Sequence, residues 1–177
     1  GMVGTVRRHD SEVKARGVKQ GFKEDILHTG GPGFNYYSHV AKMISIRTAL
    51  LRRNRGGRRI AIKDMRTAFL QSHKCPEGAP KKYVKFVHPL TGELRYYRQL
   101  APIYGENSAP KRWEDTLFEW LEDKGPNEQE GLGFTRGENE PCVLYNAERD
   151  LVVMVYVDDI LADGSEEDIK WFFNKLA

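Results

Sequence analysis

A chain of 177 residues with 40% hydrophobic and 11% aromatic residues can bury a core of its own without disulfides or a structural metal. With 30% charged residues and no apolar run near the roughly 20 residues that a membrane-spanning helix needs, it reads as a water-soluble, intracellular protein with no membrane role. Cys75 and Cys142 stand far apart and outside any CxxC-like spacing, which argues against a zinc site or a disulfide framework. The formal net charge of +3 conceals an asymmetry: residues 1 to 60 hold 13 Lys or Arg against 4 Asp or Glu, and the remainder holds 15 against 21. A basic first third joined to an acidic remainder suits a protein that grips a polyanion with one part and a cation with the other, or one whose basic residues only solvate exposed faces.

In chain order, residues 12 to 22 read as a short edge strand that places Lys14 and Arg16 on one face. Thr29-Gly30-Gly31-Pro32-Gly33 is a loop. From Tyr36 to Arg53, the spacing of Val40, Met43, Ile44, Thr48 and Leu51 predicts a helix, stopped by Asn54 and Gly56-Gly57. Arg59 to Asp64 reads as a strand that ends on a carboxylate, followed by a short helix or turn over Thr67 to Gln71. Tyr83–Val87 and Leu94–Tyr97 flank Thr91-Gly92 as a hairpin. Ser108 and Pro110 open an amphipathic helix with Trp113, Leu117, Trp120 and Leu121 on one face, ending near Lys124-Gly125. Residues 142 to 145 and 151 to 157 read as two strands, and Ser165 caps a final helix with Ile169, Phe172, Phe173 and Leu176 inward.

Asp158 and Asp159 interrupt an apolar run between Val155-Tyr156-Val157 and Ile160-Leu161, a costly place for two charges unless something compensates them. A hairpin tip at Asp158-Asp159, with a second strand from Ile160 to Asp163, turns both carboxylates toward the end of the sheet. An ordinary polar turn has the same composition. Asp64, at the end of a separate strand, can face that same end. Carboxylate oxygens are hard ligands suited to Mg²⁺. Two such ions about 3.5 to 4 Å apart activate an attacking hydroxyl and stabilise a leaving group.

Tyr156-Val157-Asp158-Asp159-Ile160-Leu161 resembles the YxDD box of reverse transcriptases, in the form of the copia-type retrotransposons. Asp64-Met65-Arg66-Thr67-Ala68-Phe69-Leu70 resembles the family's D-V-K-T-A-F-L motif. Lys14-Ala15-Arg16 with Gly21-Phe22 resembles its K-A-R-L-V-x-x-G-F opening, and Val40-Ala41-Lys42-Met43 with Ile46-Arg47-Thr48 resembles P-V-A-K-M-x-x-I-R-T. Tyr104-Gly105 and Ala109-Pro110-Lys111-Arg112-Trp113 resemble the ends of L-Y-G-L-K-Q-A-P-R-x-W. These blocks stand in the family's order and cover most of the chain.

The resemblance implies an α+β right-hand polymerase. Its fingers lie mainly in residues 1 to 58, its antiparallel palm sheet is flanked by helices within residues 59 to 177 with fingers segments interleaved, and its thumb is missing. It implies RNA-directed DNA synthesis with two Mg²⁺ ions, or Mn²⁺ in their place, held by Asp64, Asp158 and Asp159. Lys14 and Arg16 would meet the incoming triphosphate or template, and Tyr104 and Gly105 the sugar side of the nucleotide. Phe69 would exclude a ribose 2′-hydroxyl; read without the resemblance, it is a core residue of a short helix. The implied partners are a primed RNA or DNA template, dNTPs, integrase upstream, and a thumb and ribonuclease H downstream. The implied location is a cytoplasmic virus-like particle or the nucleus.

Two departures stand out within these blocks. Glu106-Asn107-Ser108 replaces the family's Leu-Lys-Gln, setting a carboxylate where phosphate is expected, and His39 replaces the proline before Val40. Together with the early end of the chain, Glu106 points to an alternative reading, an inactive retroelement remnant that at most binds nucleic acid. An unrelated two-metal phosphotransferase does not explain the ordered blocks.

Overall fold

The apolar run that ends at Tyr156 becomes the central strand of the largest sheet in the computed structural model. The structure describes residues 2–9, 12–20, 35–53, 56–74, 81–88, 91–122 and 131–176, with backbone alone for 2–9 and 12–16. Strands are β1 (Met2–His9), β2 (Glu12–Lys19), β3 (Arg59–Asp64), β4 (Tyr83–Val87), β5 (Leu94–Arg98), β6 (Thr135–Arg136), β7 (Val143–Asn146), β8 (Leu151–Tyr156) and β9 (Asp159–Gly164). Helices are α1 (Met43–Arg52), α2 (Ala68–Gln71), α3 (Ala109–Glu122) and α4 (Glu166–Lys175). The architecture is α+β, with an antiparallel five-stranded sheet in the order β3-β9-β8-β7-β6 and two separate strand pairs, β1-β2 and β4-β5.

The chain divides into two compact units. A hairpin unit comprises Gly1–Tyr37 and Phe69–Trp113, and a sheet unit comprises Ser38–Ala68 and Glu114–Ala177. Residues 38 to 58, part of the stretch that the resemblance assigns mainly to the fingers, cluster with the sheet. The five-stranded sheet belongs to the second unit. Leu151 to Val155 of β8 and Ile160 to Gly164 of β9 are buried throughout, so these inner strands are covered on both faces and read as continuous apolar runs rather than alternating ones. Helix α4 packs on β3 and β9. Its N-cap is the expected one, Ser165 accepting from the Asp168 backbone N–H at 3.0 Å, and Phe172 is fully buried with its ring 5.6 Å from that of Phe134.

Helix α1 departs from expectation by starting at Met43 rather than Tyr36. The physical reason lies in two backbone donors. The His39 N–H bonds Glu114 Oε2 at 2.6 Å and the Lys42 N–H bonds Glu140 Oε1 at 2.5 Å, so residues 35 to 42 spend these donors on side chains and stay irregular. The stripe of Met43, Ile44 and Leu51 also faces outward, and the residue that α1 buries is Ala49.

In the hairpin unit, β4 and β5 form the expected hairpin, with Gly92 at φ +70° in the turn. Strand β2 has an antiparallel partner in β1, which the sequence reading passed over. The expected loop at 29 to 33, Gly21-Phe22 and Cys75 lie outside the described residues. Among the described residues, no helix is long and apolar enough to cross a membrane.

Candidate active site

Strand register brings the three aspartates to one end of the sheet. Asp64, last in β3, pairs directly with Asp159, first in β9. Tyr156 pairs with Asp159 across the β8–β9 hairpin, leaving Val157-Asp158 as its two-residue turn. The turn thus lies one residue earlier than the expected Asp158-Asp159 tip, because the ladder with β3 and β8 holds Asp159 as a strand residue.

Val157 has φ +54°, a left-handed conformation that a β-branched side chain rarely adopts and that hairpin turns normally assign to glycine. Such a residue costs on the order of 1–3 kcal/mol and persists where its surroundings over-determine it. Here the ladder on both sides does so, with a further tie from the Met65 N–H to the Asp158 carbonyl at 2.8 Å.

Asp64 and Asp159 are exposed and Asp158 is half-buried. Among the described residues, neither Asp64 nor Asp159 makes an ion pair or a side-chain hydrogen bond. Directly opposed residues of a sheet hold their Cβ atoms about 4.5–5.5 Å apart, and like charges in that position destabilise the pairing. A facing pair of carboxylates without an ion pair among the described residues, and a third aspartate next in the chain, fits Mg²⁺, which is held by a few carboxylates plus substrate phosphates. No three His, Cys, Asp or Glu side chains among the described residues are already drawn together as a metal cage.

The opposite end of β9 carries a residue that sequence reasoning missed. Asp163 is fully buried, and Arg58 clamps it: Nε donates to its Oδ1 at 2.9 Å and Nη2 to its carbonyl at 2.8 Å. Arg58 also reaches the Asp150 carbonyl at 2.9 Å and pairs with the Asp150 carboxylate, and Arg52 Nε stands 3.8 Å from Asp163 Oδ2. Burial opposes the Arg58 charge, but hydrogen bonds and attraction from Asp163 and Asp150 outweigh it and raise its pKa above the usual guanidinium value. The sequence held a signal for this: Asp163 directly continues the apolar run Ile160-Leu161-Ala162, the mark of a strand covered on both faces.

In the hairpin unit, Phe69 and Tyr104 meet. Their ring centroids are 4.8 Å apart at 48°, and Phe69 is buried. Gly105 has φ +82°, and a Cβ there would lie 2.0 Å from the Lys19 carbonyl oxygen, so only glycine admits this approach to the end of β2. The Lys19 N–H bonds the Tyr104 carbonyl at 2.8 Å in the same place. Lys14 and Arg16 occupy alternate positions of β2, paired with Arg7 and Thr5; their side chains lie outside the described residues.

Both departures from the family pattern are satisfied within their own units. Glu106 does not offer an open negative charge: it is buried and accepts from Lys82 Nζ at 2.8 Å, from Ser108 Oγ at 3.1 Å and from Gln99. Burial alone would raise its pKa. The hydrogen bonds from Lys82 and Gln99 and the charges of Lys82 and Lys19 prevail and hold it below the usual carboxylate value. His39 uses the backbone N–H that proline lacks to bind Glu114, and its Nδ1 stands 2.7 Å from Glu114 Oε1. No protein-family model matches the chain, and no solved structure matches it.

Proposed function

We propose that the chain is the RNA-directed DNA polymerase domain of a copia-type retroelement, transferring nucleotides from dNTPs to a primer 3′-hydroxyl. The observation that carries this reading is the strand register that sets Asp64 opposite Asp159, with Asp158 in the adjoining turn. Asp64, Asp158 and Asp159 would hold Mg²⁺ or Mn²⁺, which when bound supplies Lewis-acid activation of the hydroxyl and charge stabilisation at the phosphate. The residues' own contribution is backbone placement: the β3–β9 and β8–β9 ladders and the bond from the Met65 N–H to the Asp158 carbonyl hold Asp64, Asp158 and Asp159 at one end of the sheet.

By the resemblance, Phe69 stands beneath the sugar and rejects a 2′-hydroxyl, and Tyr104 and Gly105 lie on the sugar side of the nucleotide. Lys14 and Arg16 take the triphosphate or template, Arg16 as a bidentate fork and Lys14 as a point charge. The ion pair that neutralises Glu106 supports an active enzyme over an inactive remnant, since no bare carboxylate is set against phosphate.

The test has two parts. Mg²⁺ or Mn²⁺ titration of the chain, by calorimetry or paramagnetic line broadening, should give saturable binding that Asp158→Asn abolishes. Extension of a primed template, in a protein that includes downstream polymerase regions, should require the same aspartates. Template binding without metal-dependent extension would leave the remnant reading in place and overturn the polymerase.

A further inference from the structure

The β4–β5 hairpin has two unlike faces. Val84, Phe86 and Tyr97 belong to one, where they line a largely apolar groove with Leu70, Leu100 and Ile103, and Arg98 at the end of β5 also borders that groove. The other carries Tyr83, Lys85 and Val87 from β4 opposite Arg98, Tyr96 and Leu94 from β5. All six are exposed, Tyr83 by 60% and Tyr96 by 65%.

Chemistry alternates across this outer face. Tyr83 stands opposite Arg98, and Lys85 opposite Tyr96, so each tyrosine has a cation across from it and another two residues along its own strand. Neither strand contains an acidic residue, and the adjacent Glu93 is occupied by Arg95 at 2.7 Å. Among the described residues, Lys85 and Arg98 make no ion pair. Exposed rings of this kind offer π-faces that an unpaired base can stack on, and the interleaved cations meet the phosphates between such bases. Diagonal neighbours such as Tyr83 and Tyr96 lie about 7–8 Å apart, within the reach of successive splayed nucleotides. A duplex keeps its base faces covered and cannot use such rings.

We propose that the outer face of β4–β5 binds single-stranded nucleic acid, with bases stacked on Tyr83 and Tyr96 and phosphates held by Lys85 and Arg98. This deepens the polymerase reading, on which the choice of an unpaired template strand as natural occupant rests.

The experiment measures anisotropy of a labelled single-stranded oligothymidylate titrated with the full chain in EDTA, across a range of salt. Tyr83→Ala and Tyr96→Ala should each weaken binding about tenfold, while Tyr83→Phe and Tyr96→Phe, which keep the ring, should bind as the unaltered chain does. Lys85→Ala with Arg98→Ala should flatten the log–log salt dependence by about 1.4. Alanine variants that fold normally and bind unchanged would overturn the proposal. So would a shift from a larger species to monomer in the double tyrosine variant with oligonucleotide affinity intact, which would make the face a contact between copies of the chain. Because EDTA removes any metal, ring-dependent binding without later extension upholds this site and sinks the polymerase, and extension with ring-independent binding does the reverse.

Discussion

The two ends of β9 hold the same side chain in opposite circumstances. Asp159, Leu161 and Asp163 share one strand parity, but Asp163 is fully buried under Arg58, and Asp159 is exposed opposite Asp64 with no ion pair among the described residues. A buried carboxylate must be paired, and Asp163 is, by a guanidinium that is itself held by the carboxylates and carbonyls of Asp163 and Asp150. The exposed end concentrates like charge that folding alone does not need. Compensated charge marks architecture at Asp163, and the facing pair Asp64 and Asp159 is the end at which the proposed function places its metal.

The comparison predicts opposite outcomes for mutations at the two ends. Asp159→Asn should lower metal-dependent nucleotide incorporation by about a thousandfold or more, while the urea unfolding midpoint stays level or rises as the facing charges are relieved. A large drop in that midpoint would erase the distinction. Arg58→Ala should do the converse: about 3 kcal/mol of stability lost in urea unfolding, because Asp163 stays buried without its clamp, and no change in Mg²⁺ affinity.

Glu106 extends the compensated class into the hairpin unit. Glu106→Gln should cost about 2 kcal/mol at neutral pH and flatten the acid limb of the stability profile. Its folded carboxyl titrates below its unfolded value. Its contribution is therefore whole at neutral pH, and is lost as pH falls from about 4.3 through the lower folded value. An acid limb unchanged by the substitution would mean that Lys82 contributes nothing to stability.

Much of this architecture was legible from residue patterns, and the failures have definite causes. β4, β5 and α4 follow from period and punctuation alone, since Gly92 and Ser165 sit where their backbone chemistry requires. The hairpin at Asp158-Asp159 followed from the apolar flanks of the YVDD run, whereas Asp64 could only be placed at the end of a separate strand able to face it. The register was not legible: a strand's last paired residue depends on its neighbours, and Asp159 is kept in β9 by β3 and Tyr156. Helix α1 was overextended because Glu114 and Glu140, distant in sequence, take donors that a helix would use. Glu106 was misjudged for the same reason, since Lys82 and Gln99 come from other segments.

Smaller effects sharpen the contrast further. Phe69→Val should raise ribonucleotide use relative to deoxynucleotide use about tenfold in single-nucleotide incorporation, with Tyr104 still in place. Equal loss of both substrates would assign Phe69 to the core, where its burial also places it. Val157→Gly should stabilise the chain by about 1 kcal/mol or less, because relief of the left-handed strain is partly offset by the entropy of a freer unfolded chain. Lower stability would show that the Val157 side chain packs more than its backbone strains.

The tie between the Met65 N–H and the Asp158 carbonyl runs from main chain to main chain and is indifferent to side-chain identity. The side chain at position 158 can therefore be exchanged, by evolution or by an experimenter, while the main chain of the turn stays anchored. At position 65 only proline, which has no N–H, would cut that anchor.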